Sequence, residues 1–178
     1  MQTIPSMHRA VTWLRRITQT GVMGCAIACA VSACSVNSIQ PGMTRDAVLQ
    51  RMGPPDRVVP LASGARLQYS RQPAGQQAFM VDLDASDQVV QVRQMLQAPE
   101  FARITPGTWT RNDVEREFGR PAWVDRVGNW PYDILTYRWA EVQDMFYWIY
   151  LDQNNVVQRT GQGVEYPRDR LNRSIFGR

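Results

Sequence analysis

The apolar and polar positions of the chain follow two patterns in turn. A short stretch at 44–53 begins with a Thr and ends with a Gly, which are the usual start and stop signals of a helix. Runs follow in which every second residue is apolar, as in strands with one buried face. They lie at 57–59, 66–71, 78–83 and 89–93. This order predicts one helix followed by three or four antiparallel strands.

The same order recurs further along the chain. Five helix positions reappear at a constant offset of 66 residues: Thr44, Val48, Met52, Gly53 and Pro55 return as Thr110, Val114, Phe118, Gly119 and Pro121. Alternating runs follow at 123–127, 135–139, 145–151 and 156–160, and a further short helix is predicted at 99–104. We therefore predict an α+β fold of two tandem units, 34–96 and 97–166, each with one or two short helices packed on a three- or four-stranded antiparallel sheet.

The N-terminal segment has the features of an export signal. Arg15 and Arg16 precede a charge-free run at 17–33, which is interrupted by polar residues and is shorter than the roughly 20 apolar residues of a membrane span. Val31-Ser32-Ala33-Cys34 resembles the lipobox of bacterial lipoproteins. The resemblance implies that 1–33 is a signal peptide, and that Cys34 carries acyl chains. Because Ser35 rather than Asp follows Cys34, the outer membrane is favoured over the inner one.

Composition narrows the possible chemistry. The formal charge of +4 falls to about +1 once the three arginines before residue 34 are left out, and no basic stripe predicts nucleic-acid binding. Beyond Cys34 the chain has no His, Lys or further Cys, so the common nucleophilic sites and His- or Cys-based metal sites are excluded. We expect no enzyme activity, cofactor or metal. A hydrolase that uses Asp82 and Asp84 is the least favoured alternative.

The first helix and its strands resemble a known family. Ile39 to Asp56, Tyr69 to Pro73 and the strand Phe79 to Asp84 are similar to the SmpA/OmlA (BamE-like) family of outer-membrane lipoproteins. The resemblance implies a periplasm-facing lipoprotein, anchored in the outer membrane, that supports the assembly of β-barrel proteins through contacts with protein and anionic lipid. The tandem layout is similar to the β-lactamase inhibitor protein. The alternative function is therefore binding or inhibition of another periplasmic or secreted protein.

One difference between the two units predicts a binding surface. Ala78, Met80 and Asp82, on one face of the first unit, correspond to three aromatic residues in the second. These candidate partner-binding residues are Phe146, Trp148 and Tyr150. Exposed aromatic rings are typical of protein-binding surfaces, although this face could instead pack against the other unit or the tail.

Two further residues and the tail complete the candidates. Trp130 could extend the aromatic surface from a loop, and Arg71 stands where the family has an Arg, which predicts a contact with lipid or partner. The Arg-rich tail, 167–178, is expected to be a solvated end or an anionic-lipid contact.

Overall fold

The computed structural model describes residues 36–166. The predicted signal peptide, the predicted lipidation site Cys34 and the tail 167–178 lie outside the described residues. Within 36–166, no helix has the length and apolar character needed to cross a membrane.

The described residues form two antiparallel four-stranded sheets and a small helical part. After a turn of 3-10 helix at Val36–Ser38, the first half contains α1 (Arg45–Met52), β1 (Arg57–Leu61), β2 (Gly64–Ser70), β3 (Ala78–Asp84) and β4 (Val89–Gln94). The second half contains α2 (Ala98–Phe101), α3 (Arg111–Phe118), β5 (Trp123–Val127), β6 (Trp130–Ala140), β7 (Asp144–Leu151) and β8 (Val157–Val164). In each sheet the strands are neighbours in chain order. We call β1–β4 sheet 1 and β5–β8 sheet 2.

The predicted strands are confirmed, but β6 and β8 extend well beyond their predicted bounds. β8 extends to Val164, and β6 begins at Trp130 instead of near Leu135. The loop position predicted for Trp130 is therefore wrong: it opens β6, opposite Val127, after the two-residue turn Gly128-Asn129. The register of the β5–β6 ladder shifts between Asp125 and Val127. The shift lies beside Pro131 of β6, which has no backbone N–H to donate to the ladder.

The two main helices are held by matching local contacts. The hydroxyl oxygens of Thr44 and Thr110 each accept a hydrogen bond from the backbone N–H three residues later, as N-caps do. The helices end at Gly53 and Gly119, whose φ angles are 76° and 75°, a region that glycine adopts without a Cβ penalty. The hydroxyl of Tyr69 donates to the Gly53 carbonyl at 3.1 Å. In the second half, Tyr137 donates to the Gly119 carbonyl at 2.8 Å.

The apolar side chains form two clusters, and helix α3 lies in the larger one. The smaller cluster places Val48 of α1 against residues of sheet 1 such as Leu67 and Val81. The larger cluster contains Val114 and Phe118 of α3 together with residues from both sheets. Those sheet residues are Ala78 and Met80 of β3, Leu135, Tyr137 and Trp139 of β6, Tyr147, Ile149 and Leu151 of β7, and Val157 of β8. Helix α3 is thus packed between the two sheets.

Polar contacts fix sheet 1 to the end of α3. The Gln68 side chain donates to the carbonyls of Glu115 and Arg116 at 3.0 and 2.9 Å. Arg66 donates to the Arg116 carbonyl at 3.1 Å and pairs with Asp82 at 2.6 Å. The Arg116 carbonyl lies in the last turn of α3, where a helix leaves carbonyls without an N–H partner of its own, whereas the Glu115 carbonyl also accepts from the Gly119 N–H. The face of sheet 1 that carries Ala78, Met80 and Asp82 is therefore buried beneath α3.

Candidate protein-binding surface

The three aromatic residues singled out on β7 share one face of sheet 2, on the side away from α3. We call this side the aromatic face. Phe146, Trp148 and Tyr150 alternate with Tyr147, Ile149 and Leu151, which point towards α3 into the core. Trp148 and Tyr150 are half-buried, whereas Phe146 is 4% exposed. The aromatic face therefore offers two rings to a partner, not three.

Phe146 packs against two aromatic rings, those of Trp123 and Trp148. Its ring meets Trp123 edge-on at 5.9 Å and Trp148 at 6.0 Å between centroids. Beside it on β6, Arg138 pairs with the fully buried carboxylate of Glu165 at 2.9 Å. These contacts close one end of the aromatic face and leave Trp148 at the boundary between covered and open surface.

Trp148 lies across strand β8, where two glycines replace side chains. A Cβ at Gly163 would come within 2.8 Å of the far edge of the indole, while one at Gly161 would make an ordinary contact of 3.7 Å. The ring thus occupies the space that a side chain at residue 163 would fill. This packing holds a large aromatic surface flat against the sheet, which reduces the entropy lost when a partner binds.

Tyr150 belongs to a stack of three side chains. The guanidinium of Arg159 lies over its ring, 3.8 Å from the centroid, and 5.2 Å from the centroid of Trp130. Trp130 meets Tyr150 edge-on at 5.4 Å and donates its indole N–H to the Leu151 carbonyl at 2.9 Å. Although its loop assignment was wrong, Trp130 is thus in contact with the aromatic residue Tyr150.

A cleft of about 590 Å³ opens beside these rings. It is lined by Asp125, Arg126, Val127, Ile134, Trp148 and Tyr150. Arg126, at the rim of the cleft, donates a hydrogen bond to the Asp133 carboxylate at 2.8 Å. This bond, with the nearby Arg111, lowers the pKa of the Asp133 carboxyl. An apolar floor with a polar rim is the usual anatomy of a protein-binding surface.

Arg71 lies in a different place from the other candidates. It is exposed and lines a depression of about 210 Å³ in the first half, with Asp56, Tyr69 and Phe79 among its neighbours. Burial, helped by the charge of Asp56, raises the pKa of Tyr69 to about 12. None of the residues that line this depression lines the cleft beside Trp148.

The two candidate carboxylates have structural contacts in place of a shared site. Asp82 is 8% exposed and is paired with Arg66, while Arg93 lies 3.7 Å from it. Asp84 accepts hydrogen bonds from the N–H groups of Ser86 and Gln88 in the following turn. Within 36–166, no group of three or more His, Cys, Asp or Glu side chains is arranged to hold a metal ion.

Sequence reasoning missed the residues of β8 that shape the aromatic face. Arg159, Gly161 and Gly163 stand opposite Tyr150, Trp148 and Phe146 in the ladder, so they lie on the same face. Their alternation along the strand is the signal that could have found them. The predicted strand stopped at Thr160, however, so the glycines fell outside it.

Comparison with known proteins does not assign a family. No family model matches the chain, and no curated protein does. Among solved structures, a DUF4309 family protein, YjgB from Bacillus subtilis, is 15% identical with a TM-score of 0.28, over 68% of this chain and 78% of its own. At that TM-score the similarity supports no conclusion about fold or function.

Proposed function

We propose that this protein is a periplasm-facing outer-membrane lipoprotein that binds other proteins through the aromatic face, as an accessory in the assembly of β-barrel outer-membrane proteins. The proposed anchor is a set of acyl chains on Cys34, as the lipobox-like sequence implies. The barrel-assembly role comes from the sequence resemblance to SmpA/OmlA lipoproteins. The binding role draws its support from the geometry of sheet 2.

The observation that carries the binding role is the contrast between corresponding faces of the two sheets. On sheet 1, the face with Met80 lies under α3, and Met80 is fully buried. On sheet 2, Trp148 and Tyr150 stay only half-buried beside an open cleft, although full burial of a large apolar side chain contributes about 2 kcal/mol. Apolar patches kept at a surface are commonly interaction sites.

We further propose that the fold consists of two tandem copies of one helix-plus-sheet unit, 34–96 and 97–166. Besides the caps and the tyrosine contacts, the hairpin turns support this proposal. Asp87 and Asn155 take up φ angles of 59° and 60° at corresponding positions. Asp84 and Asp152 each accept hydrogen bonds from the N–H groups two and four residues later.

The alternative function is binding or inhibition of one envelope or secreted protein, without a role in barrel assembly. The same surface would serve it, since a rigid, concave aromatic cleft suits a single tight partner. The two functions differ in what the protein captures and in what its loss does to the outer membrane.

The test is affinity purification of the lipidated protein from its native envelope. The variant Trp148→Ala/Tyr150→Ala is compared with Val58→Ala/Val90→Ala, which removes exposed apolar side chains from sheet 1. We expect wild type and control to recover components of the barrel-assembly machinery, and the aromatic variant to lose them. Recovery of one different protein would favour the alternative. Undiminished recovery by the aromatic variant would refute the proposed surface.

A further inference from the structure

Strand β8 lies at one edge of sheet 2, and no other strand of the described residues 36–166 pairs with its outer side. The Glu165 N–H donates to the Asp144 carbonyl at 2.8 Å, just beyond the end of the ladder. In an antiparallel ladder, the backbone groups of alternate residues point the same way. Residues 159, 161 and 163 therefore bond to β7, and the backbone groups of Thr160, Gln162 and Val164 point outward. Within 36–166, no backbone group hydrogen-bonds to those three residues from outside the sheet.

The start of this edge already has a backbone partner. The Val157 N–H donates to the Trp109 carbonyl at 2.8 Å, and the Gly107 N–H donates to the Val157 carbonyl at 2.7 Å. The chain therefore uses backbone pairing on the outer side of β8 up to Val157. Among residues 36–166, none supplies such a backbone partner to Thr160, Gln162 or Val164, and we call this part of β8 the open edge.

The other sheet edges are less suited to accept a strand. β1 has five residues, among them Pro60, which has no N–H to donate. β4 has its terminal Gln94 carbonyl bonded to the Gln97 side chain at 2.5 Å. β5 has five residues and an irregular register. β8 has eight residues and no proline, and the guanidinium of its one charged residue, Arg159, lies over Tyr150. Its ladder with β7 shifts register once, where Leu151 pairs with Val157, and beyond that point the part from Thr160 to Val164 lacks the features that usually protect an edge.

Both sides of the open edge offer space for side chains. On the aromatic side, Gly161 and Gly163 leave Trp148 as the wall next to the edge. On the α3 side, a groove of about 290 Å³ runs between β8 and α2, where Ala98, Phe101 and Ala102 line it. An added strand projects alternate side chains to opposite faces, one set towards Trp148 and the other into this groove.

We propose that β8 binds an extended segment of a partner protein, which adds to sheet 2 as a fifth strand. This inference rests on the proposed protein-binding function and names the conformation of the partner. The segment pairs its backbone with Thr160, Gln162 and Val164. It places aromatic or branched apolar side chains on Trp148 and small apolar ones in the groove beside α2. In strand addition, backbone hydrogen bonds supply affinity and the flanking pockets supply specificity.

The test uses a synthetic peptide of about ten residues, the length of a barrel strand, with alternating valine and threonine and a lysine at each end. A control peptide has the same side chains, but the backbone nitrogens of all its valines and threonines are methylated, so that neither edge of the peptide can donate to β8. We expect the first peptide to slow amide hydrogen exchange at residues 160, 162 and 164 of the folded protein. The methylated peptide should bind about tenfold more weakly or worse, because it has lost several N–H donors. Equal binding of the two peptides, or binding without protection of those amides, would overturn the proposal.

A matched pair of variants tests the protein side. Gln162→Pro removes the outward N–H without touching a bond to β7, and Gln162→Ala keeps that N–H while removing the same side chain. We expect the Pro variant to lose peptide binding and the Ala variant to retain it, with thermal unfolding recorded for both. Should the Pro variant fail to fold, the comparison of the two peptides on the Ala variant decides. A dimer of the free protein that protects the same amides would assign the edge to a second copy and refute the proposal.

A comparison of Gln162→Pro with Trp148→Ala/Tyr150→Ala separates this inference from the proposed function. In the envelope purification, loss of the partner by Trp148→Ala/Tyr150→Ala but not by Gln162→Pro would leave the protein-binding function in place and refute strand addition. If neither variant loses it, the proposed surface itself is wrong.

Discussion

The indole ring of Trp148 fills the space beside Gly163, and a Cβ built there would come within 2.8 Å of it. The glycine and the tryptophan lie on neighbouring strands of sheet 2, and the ring lies flat because the glycine has no side chain. Their relationship determines how much aromatic surface the molecule presents, and it can be tested directly.

Gly163→Ala should displace the Trp148 ring. The new methyl group would meet the ring edge at a distance that real contacts do not reach, so the ring must tilt away from β8. Gly161→Ala is the matched control, since its Cβ would stand 3.7 Å from the same ring. We expect a changed near-ultraviolet circular dichroism spectrum and weaker partner binding for the first variant only. Identical spectra for the two variants would contradict the packing described here.

Arg66→Met should destabilise the fold strongly. Its side chain is 5% exposed and pairs with Asp82 and Glu117, so its removal leaves nearly buried carboxylates without their main partner. Loss of one member of a buried pair costs about 3–5 kcal/mol. Urea unfolding measures the change, and the exposed pair of Arg45 and Asp87 is the control.

Arg45→Met should change the free energy of unfolding by about 1 kcal/mol or less, as for most surface pairs. If both substitutions cost the same, the burial of Arg66 beneath α3 would be in doubt.

Thr110→Ala should cost about 1 kcal/mol, and part of that cost should depend on pH. The Thr110 hydroxyl and N–H bond to Asp113, and these bonds with the nearby Arg116 lower the pKa of that carboxyl. A lowered pKa contributes stability above the ordinary value of about 4 and loses it as the pH falls through the lowered one. The effect of the substitution should therefore shrink below about pH 4.

Thr44→Ala provides the comparison for this helix cap. Its helix has Ala47 in place of Asp113, so its cap has no carboxylate partner at that position. We expect a similar loss at neutral pH that stays constant in acid, measured by thermal unfolding between about pH 3 and pH 7. If the destabilisation caused by the two substitutions shrinks equally as the pH is lowered, the carboxylate of Asp113 does not strengthen the helix cap at Thr110.

Tyr137→Phe should make the fold less sensitive to alkali. Burial raises the pKa of Tyr137 well above its ordinary value, as it does for Tyr69. A raised pKa gives stability that is present below about pH 10 and is lost as the pH rises through the folded value. At neutral pH the free energy of unfolding of Tyr137→Phe should be lower by about 1 kcal/mol, because the hydrogen bond to the Gly119 carbonyl is lost.

Denaturant unfolding between about pH 8 and pH 12 checks this expectation. Tyr69→Phe is the control for a tyrosine that is less completely buried: the pKa of Tyr69 is raised to about 12, and its hydroxyl donates to the Gly53 carbonyl at 3.1 Å. The stability of Tyr137→Phe should decline less steeply above about pH 10 than that of the wild type. An unchanged slope would mean that Tyr137 ionises in the folded protein.

The sequence alone determined the order of the elements, because the signals for each element are local. A cap such as Thr44 and a stop such as Gly53 act within a single turn of helix, and the period of two in Phe79, Val81 and Leu83 states which face of β3 is apolar. The repeat at Thr110 doubled this information. The repeat did not show that β6 begins at Trp130, because Trp130 pairs with Val127 of β5 beyond a shift of register.

Only the tertiary structure decided that helix α3 packs against both sheets. That packing determines which face of each sheet is buried and leaves the aromatic face of sheet 2 on the side away from α3. Arg66 and Gln68 reach carbonyls of α3 that lie 47–50 residues further along the chain. Such contacts depend on the packing of distant segments, which residue spacing does not encode. Phe146 and Trp148 share the same strand pattern, yet one is buried and the other stands beside the cleft, because the environment of a β-strand is set by its neighbours across the sheet.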